Sequence, residues 1–344
     1  MSEGLEEIAA KAGVSIATAS RALNGKGGVK EETRQRVLTV AQEMQYSVSM
    51  VGRGLATSRT ETICFVVSSK SDSLNDDPFY PIIMRSLESE LSNHGYHLLI
   101  TTIDVTQSKS ASEFRPVMER RVDGVILAGP DIPPRLIVDL QQRGIPVLLV
   151  DNDLAALSID TVNSDNKQGG LKATEHLIQH GHSAIVSLLG PNSWYSSLMR
   201  GQGYREAMVA ANLTPMVFHV DATTAKTGAL AMRQALEAVP NLTAVFAAND
   251  AMAVGAMREL LQQGRRVPED VAVIGFDDVA MSELYEPPLT TIRVYKREIG
   301  RQAARQMLDM LSENSSTERA PMQILLSTEL MIRRSCGCKT ITEH

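Results

Sequence analysis

Over the first 46 residues, apolar positions recur at helical spacing. Leu5, Ile8, Ala9 and Ala12 follow the i, i+3, i+4, i+7 rule, and Gly13 can stop that helix. Ser15 is placed to cap a second helix over 16–24. On a wheel of about 3.6 residues per turn, Ala19, Ala22 and Leu23 share one side of it. Ala17 and Arg21 lie opposite, flanked by Ile16 and Ser20. A third helix turns Val37, Val40, Ala41 and Met44 inward, with Glu31 and Glu32 in a first turn where the helix dipole favours acids. The stretch "SVSMVGRGLATSRT" (47–60) is polar, short and glycine-bearing, and reads as a linker.

From residue 61 the period changes. Strand-like runs "TICFVVSS", "YHLLITTI", "VDGVILAG" and "IPVLLVDN" alternate with helical segments 79–94, 110–121 and 133–143. A second series follows in "AIVSLLG", "PMVFHV", "AVFAAN" and "DVAVIGFDD". Runs apolar on both faces belong to parallel sheets covered on both sides, and two series imply two α/β lobes. "LTTIRVYKREIGRQAARQMLDML" (289–311) and "ILLSTELMIRR" (324–334) add a strand, a helix and a strand in which the chain crosses back. The expected organisation is an all-α head at 1–46 and a hinge at 47–60. Lobe 1 spans 61–161 with 291–322, lobe 2 spans 162–290 with 323–335, and a tail covers 336–344.

Two short helices joined by a tight glycine turn and braced by a third make the helix-turn-helix plan. A recognition helix with short side chains outward can sink into the major groove. Arg21 is the candidate for a guanine edge, and Ile16 and Ala17 for thymine methyls. Ser15 at the helix entry, Thr18, Ser20, Asn24, Lys26 and Lys30 are candidates for the DNA backbone. The other reading of the same pattern is a three-helix protein-interaction module. Charge favours DNA: the first 60 residues hold eight lysines and arginines against six acids, and the rest of the chain 26 against 34.

Composition narrows the class further. Of the 344 residues 43% are hydrophobic and 22% charged, which fits an ordinary folded protein with a large core. No apolar run is long enough to span a membrane, and "MSEGLEEIAAK" lacks the basic and apolar regions of a signal peptide, so a cytoplasmic protein is expected. "SCGC" is one cysteine pair without a second pair at zinc spacing, which points to free thiols and no metal.

Ligands of open α/β sheets sit at the carboxyl ends of strands. The residues there are Phe79 and Tyr80, Asp151, Arg200, Asn249 with Asp250, and Asp277 with Asp278; Asp165 follows in the crossover "NSDN". Carboxylates, amides, an arginine fork and an aromatic face are what a polyol with vicinal hydroxyls needs. Asp250 and Asp278 could equally cap local structure, and Trp194 and Tyr195 could be a surface loop.

"AGVSIATASRALNGKGGVKEETRQRV" (12–37) resembles the DNA-binding segment of the lactose/galactose repressor family of bacterial transcription regulators. "LMRGQGYREAM", "ANDAMAVGAM" and "VAVIGFDDVAMSELYEPPLTTIR" extend the likeness, so that it covers residues 4 to about 335. The resemblance implies a periplasmic-binding-protein-like body and a hinge helix that forms on operator DNA, with Leu55 wedged into the minor groove and Arg53 on phosphate. It implies an effector site of Phe79, Asp151, Asp165, Arg200, Asn249 and Asp277, and a homodimer through the first lobe near "IMRSLESEL" (83–91). There, Ile83, Leu87, Glu90 and Leu91 could also be internal core. Three departures stand out. Gly4 and Lys30 replace the usual helix-capping residues, Gly52 and Gly54 weaken the hinge helix, and "DATTAKTG" puts Ala222 where many sugar-responsive members have an aromatic. Only ten residues follow Arg334, too few for a tetramer-forming coiled coil, so a dimer is expected.

The reading is a ligand-controlled repressor of double-stranded operator DNA, with a sugar or sugar derivative as inducer and no cofactor. A purine-type corepressor is a minority alternative. A periplasmic sugar receptor is disfavoured by the attached head. A sugar-acting enzyme is disfavoured because no Ser-His-Asp order, phosphate loop or metal triad appears.

Overall fold

The computed structural model describes residues 3–23, 27–44, 46, 59–68, 79–104, 110–154, 157–312 and 319–338. Asn24, Lys26, Arg53, Leu55 and nearly all of the expected hinge lie outside these residues. No helix among those described is long and apolar enough to cross a membrane.

The described residues of the head form three helices, α1 (Glu3–Ala12), α2 (Ile16–Leu23) and α3 (Glu31–Glu43). Gly13, at φ +64°, ends α1 as its sequence position predicts. The core is small: Ile8, Ala9, Ala12, Ala19, Ala22, Val37 and Ala41 are buried together, with Val40 and Met44 at its margin. Alanines on α2 permit close approach to its neighbours. Gly4 is a helix residue here, not a cap: α1 already starts at Glu3, and a Cβ on Gly4 would strike the Tyr46 ring. Lys30 does stand at the N-cap of α3, with extended backbone and no side-chain bond to the helix. Lys30→Ser is therefore expected to stabilise the head by about 0.5–1 kcal/mol, seen as a later head transition in thermal unfolding of the intact protein.

The body contains two six-stranded sheets. The first has the order β11-β5-β4-β3-β1-β2, with β1 (Thr62–Ser68), β2 (His97–Ile103), β3 (Gly124–Ala128), β4 (Val147–Val150), β5 (Asp160–Ser164) and β11 (Gln323–Leu326), all parallel. The second has the order β12-β10-β9-β8-β6-β7, with β6 (Ile185–Leu189), β7 (Met216–His219), β8 (Ala244–Ala247), β9 (Ala272–Asp277), β10 (Thr290–Arg293) and an antiparallel β12 (Glu329–Met331). The central strands β1, β3, β4, β6, β8 and β9 are buried almost throughout, as apolar runs covered on both faces must be.

Among the described residues the helices are α4 (Phe79–Ser92), a one-turn α5 (Arg115–Met118), α6 (Pro134–Gln142), α7 (Asn166–Gln179), α8 (Tyr195–Ala210), α9 (Ala225–Ala238), α10 (Asp250–Gln262) and α11 (Lys296–Leu311). The single helix expected over 110–121 is a 3-10 turn at Ala111–Glu113 followed by α5, with Pro116 in its first turn.

Two sequence expectations need correction. The run 324–334 is two strands, because the chain crosses between sheets at 327–328 and β11 and β12 pair in different sheets. Likewise β5 at 160–164 and β11 at 323–326 belong to the first sheet, and β10 at 290–293 to the second, so the crossovers fall at 165, 294–295 and 327–328. On α4 the structure favours the internal-core alternative. Ile83, Leu87 and Leu91 are fully buried, and Gly300 lets α11 lie against the backbone of Ile83. That stripe is internal core and is not available to a partner; Glu90 beside it takes a 2.9 Å bond from Arg305 Nε.

Candidate functional site

The outward side of α2 matches the wheel. Ser15, Ile16, Ala17 and Arg21 are exposed, Thr18 and Ser20 are half-buried, and Ala19 and Ala22 face the core. Ser15 Oγ accepts from Thr18 N at 3.1 Å, which is the N-cap bond that starts the helix. Ile16 is 48% exposed on the same side as Arg21. The result is a low, short-chained ridge from which one guanidinium projects, a shape that fits a groove about 12 Å wide.

A cleft in the body opens at the carboxyl ends of both sheets. The first lobe supplies Phe79 and Tyr80 from the start of α4, Asp131 after β3 and Asp151 after β4. Phe79 and Tyr80 meet edge to face with centroids 5.2 Å apart, and the Tyr80 hydroxyl donates to Asp151 Oδ2 at 3.0 Å. Gly129, at φ +91°, leaves room for that hydroxyl; a Cβ there would collide with it. The second lobe supplies Trp194, Ser196 and Ser197, Arg200 from α8, Thr223, Asn249 at the start of α10, and Asp277 at the end of β9.

Arg200 is the most constrained of these. It is 6% exposed and lies over the Phe276 ring at 3.8 Å. Its Nε donates to Asn166 Oδ1 at 2.8 Å, Nη1 to the Ala248 carbonyl at 2.5 Å and Nη2 to Asp277 Oδ1 at 3.3 Å. Those bonds leave two of the five guanidinium donors for another group. Asp151, at φ +53°, and Asp277, at φ +107°, both hold backbone conformations unusual for a side chain with a Cβ, a kind of strain that clusters at functional sites. The Ser197 hydroxyl is buried and has no hydrogen-bond partner among the described residues. Across the cleft, Trp194 Nε1 donates to Asp131 Oδ1 at 3.0 Å and bridges the two lobes. Burial, then the nearby carboxylates of Asp153, Asp165 and Asp151, push the Tyr195 phenol above its ordinary pKa.

Five of the six residues picked out by sequence thus line one cleft. Asn249 has a structural duty as well: its Oδ1 accepts from Met252 N at 2.9 Å and caps α10. Asp165 does not line the cleft; its Oδ1 accepts from Gln168 N at 3.0 Å and caps α7. Asp250 neither caps a helix nor faces the cleft. It is buried and accepts from Val279 N, Ser282 Oγ and Thr291 Oγ1, fixing the turn after β9. Trp194 belongs to the cleft and not to a surface loop. Asp131, Ser197 and Thr223 went unnoticed in the sequence. Asp131 follows β3 and obeys the same strand-end rule; nothing local marks Ser197.

Asp278 is held elsewhere, by Arg293 Nε at 2.6 Å and Arg333 Nη2 at 2.7 Å. Burial raises the carboxyl's pKa, but the two guanidiniums outweigh it and hold the group below the usual carboxylate range. A depressed folded pKa gives stability that is complete above the unfolded value of about 4 and is lost as pH falls through the folded one. Urea unfolding of the body is expected to show this loss below about pH 4, with a shallower acid slope in Asp278→Asn.

Comparison with known proteins places this architecture. Residues 4–49 match the model of bacterial regulatory proteins of the lacI family, and residues 174–336 that of the periplasmic binding protein-like domain. The chain is 36% identical over 340 residues to the transcriptional regulator CelR of Thermobifida fusca, with 96% of this chain and 97% of the relative covered. It is 33% identical over 334 residues to the transcriptional repressor CytR of Escherichia coli K12, with 96% and 95% covered. Among solved structures, a lac repressor dimer bound to operator and the anti-inducer ONPF superposes with TM-score 0.79 at 28% identity, covering 96% of this chain and 98% of the other. A CelR-cellobiose complex gives TM-score 0.72 at 35% identity, covering 96% and 99%. These relatives are transcriptional regulators and repressors, and the lac repressor dimer is bound to operator. The chain belongs to the lacI family of bacterial regulatory proteins, and it is a transcriptional regulator.

Proposed function

We propose that the protein represses transcription as a cytoplasmic homodimer and that a sugar or sugar derivative, bound in the body cleft, releases it from operator DNA. Two heads on a two-fold dimer suit two half-sites of a pseudopalindrome. In each head Arg21 reads a base, Ile16 and Ala17 pack on thymine methyls, and Ser15, Thr18, Ser20, Asn24 and Lys26 contact the backbone. Leu55 and Arg53 act at the hinge. In the cleft Arg200 and Asp277 bind vicinal hydroxyls as donor and acceptor, Asp151 and Asn249 accept or donate at the rim, and Phe79 offers the sugar an apolar face.

The observation that carries this reading is the buried Arg200, fixed by three bonds at the back of an acidic and aromatic cleft, beside a Ser197 hydroxyl that lacks a bond. The CelR relative held with cellobiose supports a carbohydrate. Asp165 caps α7, whose first residue, Asn166, accepts from Arg200. The effector shifts operator affinity only through its differential affinity for two body conformations; going from 99% competent to 1% requires about 5.5 kcal/mol.

The test is a thermal-shift screen with cellobiose, ribose, other sugars and nucleobases, followed by operator titration. A sugar that raises the melting temperature of the body and lowers operator affinity is expected. A nucleobase that tightens operator binding, with every sugar inert, would overturn the inducer role.

A further inference from the structure

The cysteine pair near the end of the chain takes part in neither site above. Cys336 is buried, Cys338 is half-buried, and both lie beside His176, which is buried in the last turns of α7. Cys338 Sγ is 3.0 Å from His176 Nε2, although the two residues are 162 positions apart. The two sulfurs and a ring nitrogen of His176 all lie within 4.8 Å of one another.

This convergence is held from several directions. Ser335 Oγ donates to the Val273 carbonyl at 2.6 Å and accepts from Thr290 N at 2.8 Å, pinning the segment to β9 and β10. Gly337, at φ +75°, gives the left-handed bend between the two cysteines. Thr290 Oγ1 donates to Cys336 Sγ at 3.2 Å, the kind of outer-sphere bond that steadies a metal-bound thiolate.

The geometry points to a soft-metal site built from His176, Cys336 and Cys338, with Zn2+ as its ion and solvent in the fourth position. Two thiolates and an imidazole are donors that select zinc over magnesium or calcium. They also neutralise the dication in a buried place. Zn–S bonds of about 2.3 Å and Zn–N bonds of about 2.0–2.1 Å put tetrahedral sulfurs about 3.8 Å apart and sulfur about 3.6 Å from nitrogen. From its present 3.0 Å, Cys338 Sγ would retreat from His176 Nε2 by about 0.6 Å to meet the sulfur–nitrogen spacing. A bound ion ties the segment after β12 to α7, two parts of the second lobe far apart in sequence. The local "SCGC" lacks a second pair in the sequence, and the helix supplies the missing donor.

The test uses the full-length, untagged protein, reduced and stripped with a chelator. Zinc chloride is titrated against a chromophoric chelator, and cobalt chloride is followed by its thiolate charge-transfer absorption in the near ultraviolet. The wild type is expected to take one equivalent of zinc, to show the cobalt band, and to melt later when loaded. Cys338→Ser, a conservative change at a half-exposed position, is expected to lose the band and weaken zinc binding by more than about 100-fold, the upper end of outer-sphere effects. His176→Asn should weaken zinc binding but keep a thiolate band. Failure of the reduced wild type to bind zinc overturns the site, as does uptake unchanged in Cys338→Ser. So does a Cys336–Cys338 disulfide that forms in air in protein whose thiols take no zinc.

Discussion

Arg200→Met is expected to cost the body about 3–5 kcal/mol and to make the regulator deaf to its effector. The side chain is the hub of a buried polar cluster, not a surface ion pair. Removing the guanidinium breaks its ion pair with the Asp277 carboxylate, which is only 4% exposed. It also strips a donor from Asn166 Oδ1 and another from the Ala248 carbonyl. Each buried acceptor left unbonded adds about 1–3 kcal/mol, and the broken buried ion pair adds to that. Methionine keeps the apolar contact with Phe276, so packing loss contributes little. Against a total stability of about 5–15 kcal/mol the change is large but need not unfold the protein. The double change Arg200→Met with Asp277→Asn separates stability from response. Removing both charges should recover much of the urea midpoint, while the effector-induced thermal shift stays absent. If the double variant responded to effector like the wild type, Arg200 would have no role in recognition.

The second large effect is at the other end of the chain. Arg21→Ala is expected to weaken operator binding by about 1–3 kcal/mol and to relax the preference at one base pair of each half-site. Arg21 is exposed, and it projects from a face whose other members are short or apolar, so its loss leaves the head fold intact. The discriminating readout is the pattern across sequences. A base-reading arginine loses most on the preferred sequence; a phosphate-binding cation loses alike on all sequences and makes the salt dependence shallower. Competition binding on a set of single-base operator variants reads the difference directly.

Periodicity and strand-end logic carried far into this molecule. The small-residue α2, the alternation of buried runs with helices and five cleft residues were all legible, because 3.6-residue spacing and parallel-sheet burial leave one-dimensional marks. Arg200 and Asp277 lie 77 positions apart; Asp277 ends β9, where the strand-end rule looks for it, and Arg200 sits in the second turn of the helix that follows β6. What escaped was set by pairing in space. The sequence cannot tell that "ILLSTELMIRR" divides between two sheets, because β11 and β12 have similar residues and differ only in partner. A carboxylate at a helix start looks the same in sequence whether it caps, as Asp165 does, clamps a turn, as Asp250 does, or meets a ligand. In sequence Gly4 looks like a missing cap, because Tyr46, which its bare Cα accommodates, lies 42 positions away.

The central claim is that α2 and its Arg21 read duplex DNA under control of the body cleft. The most direct measurement is selection of bound duplexes from a randomised pool in dilute salt, repeated with cellobiose and other candidate effectors present. The account predicts enrichment of a pseudopalindrome by the wild type, its blurring at one position per half-site in Arg21→Ala, and loss of bound duplex when the effector is added. A wild-type pool that stays random under every condition would contradict it.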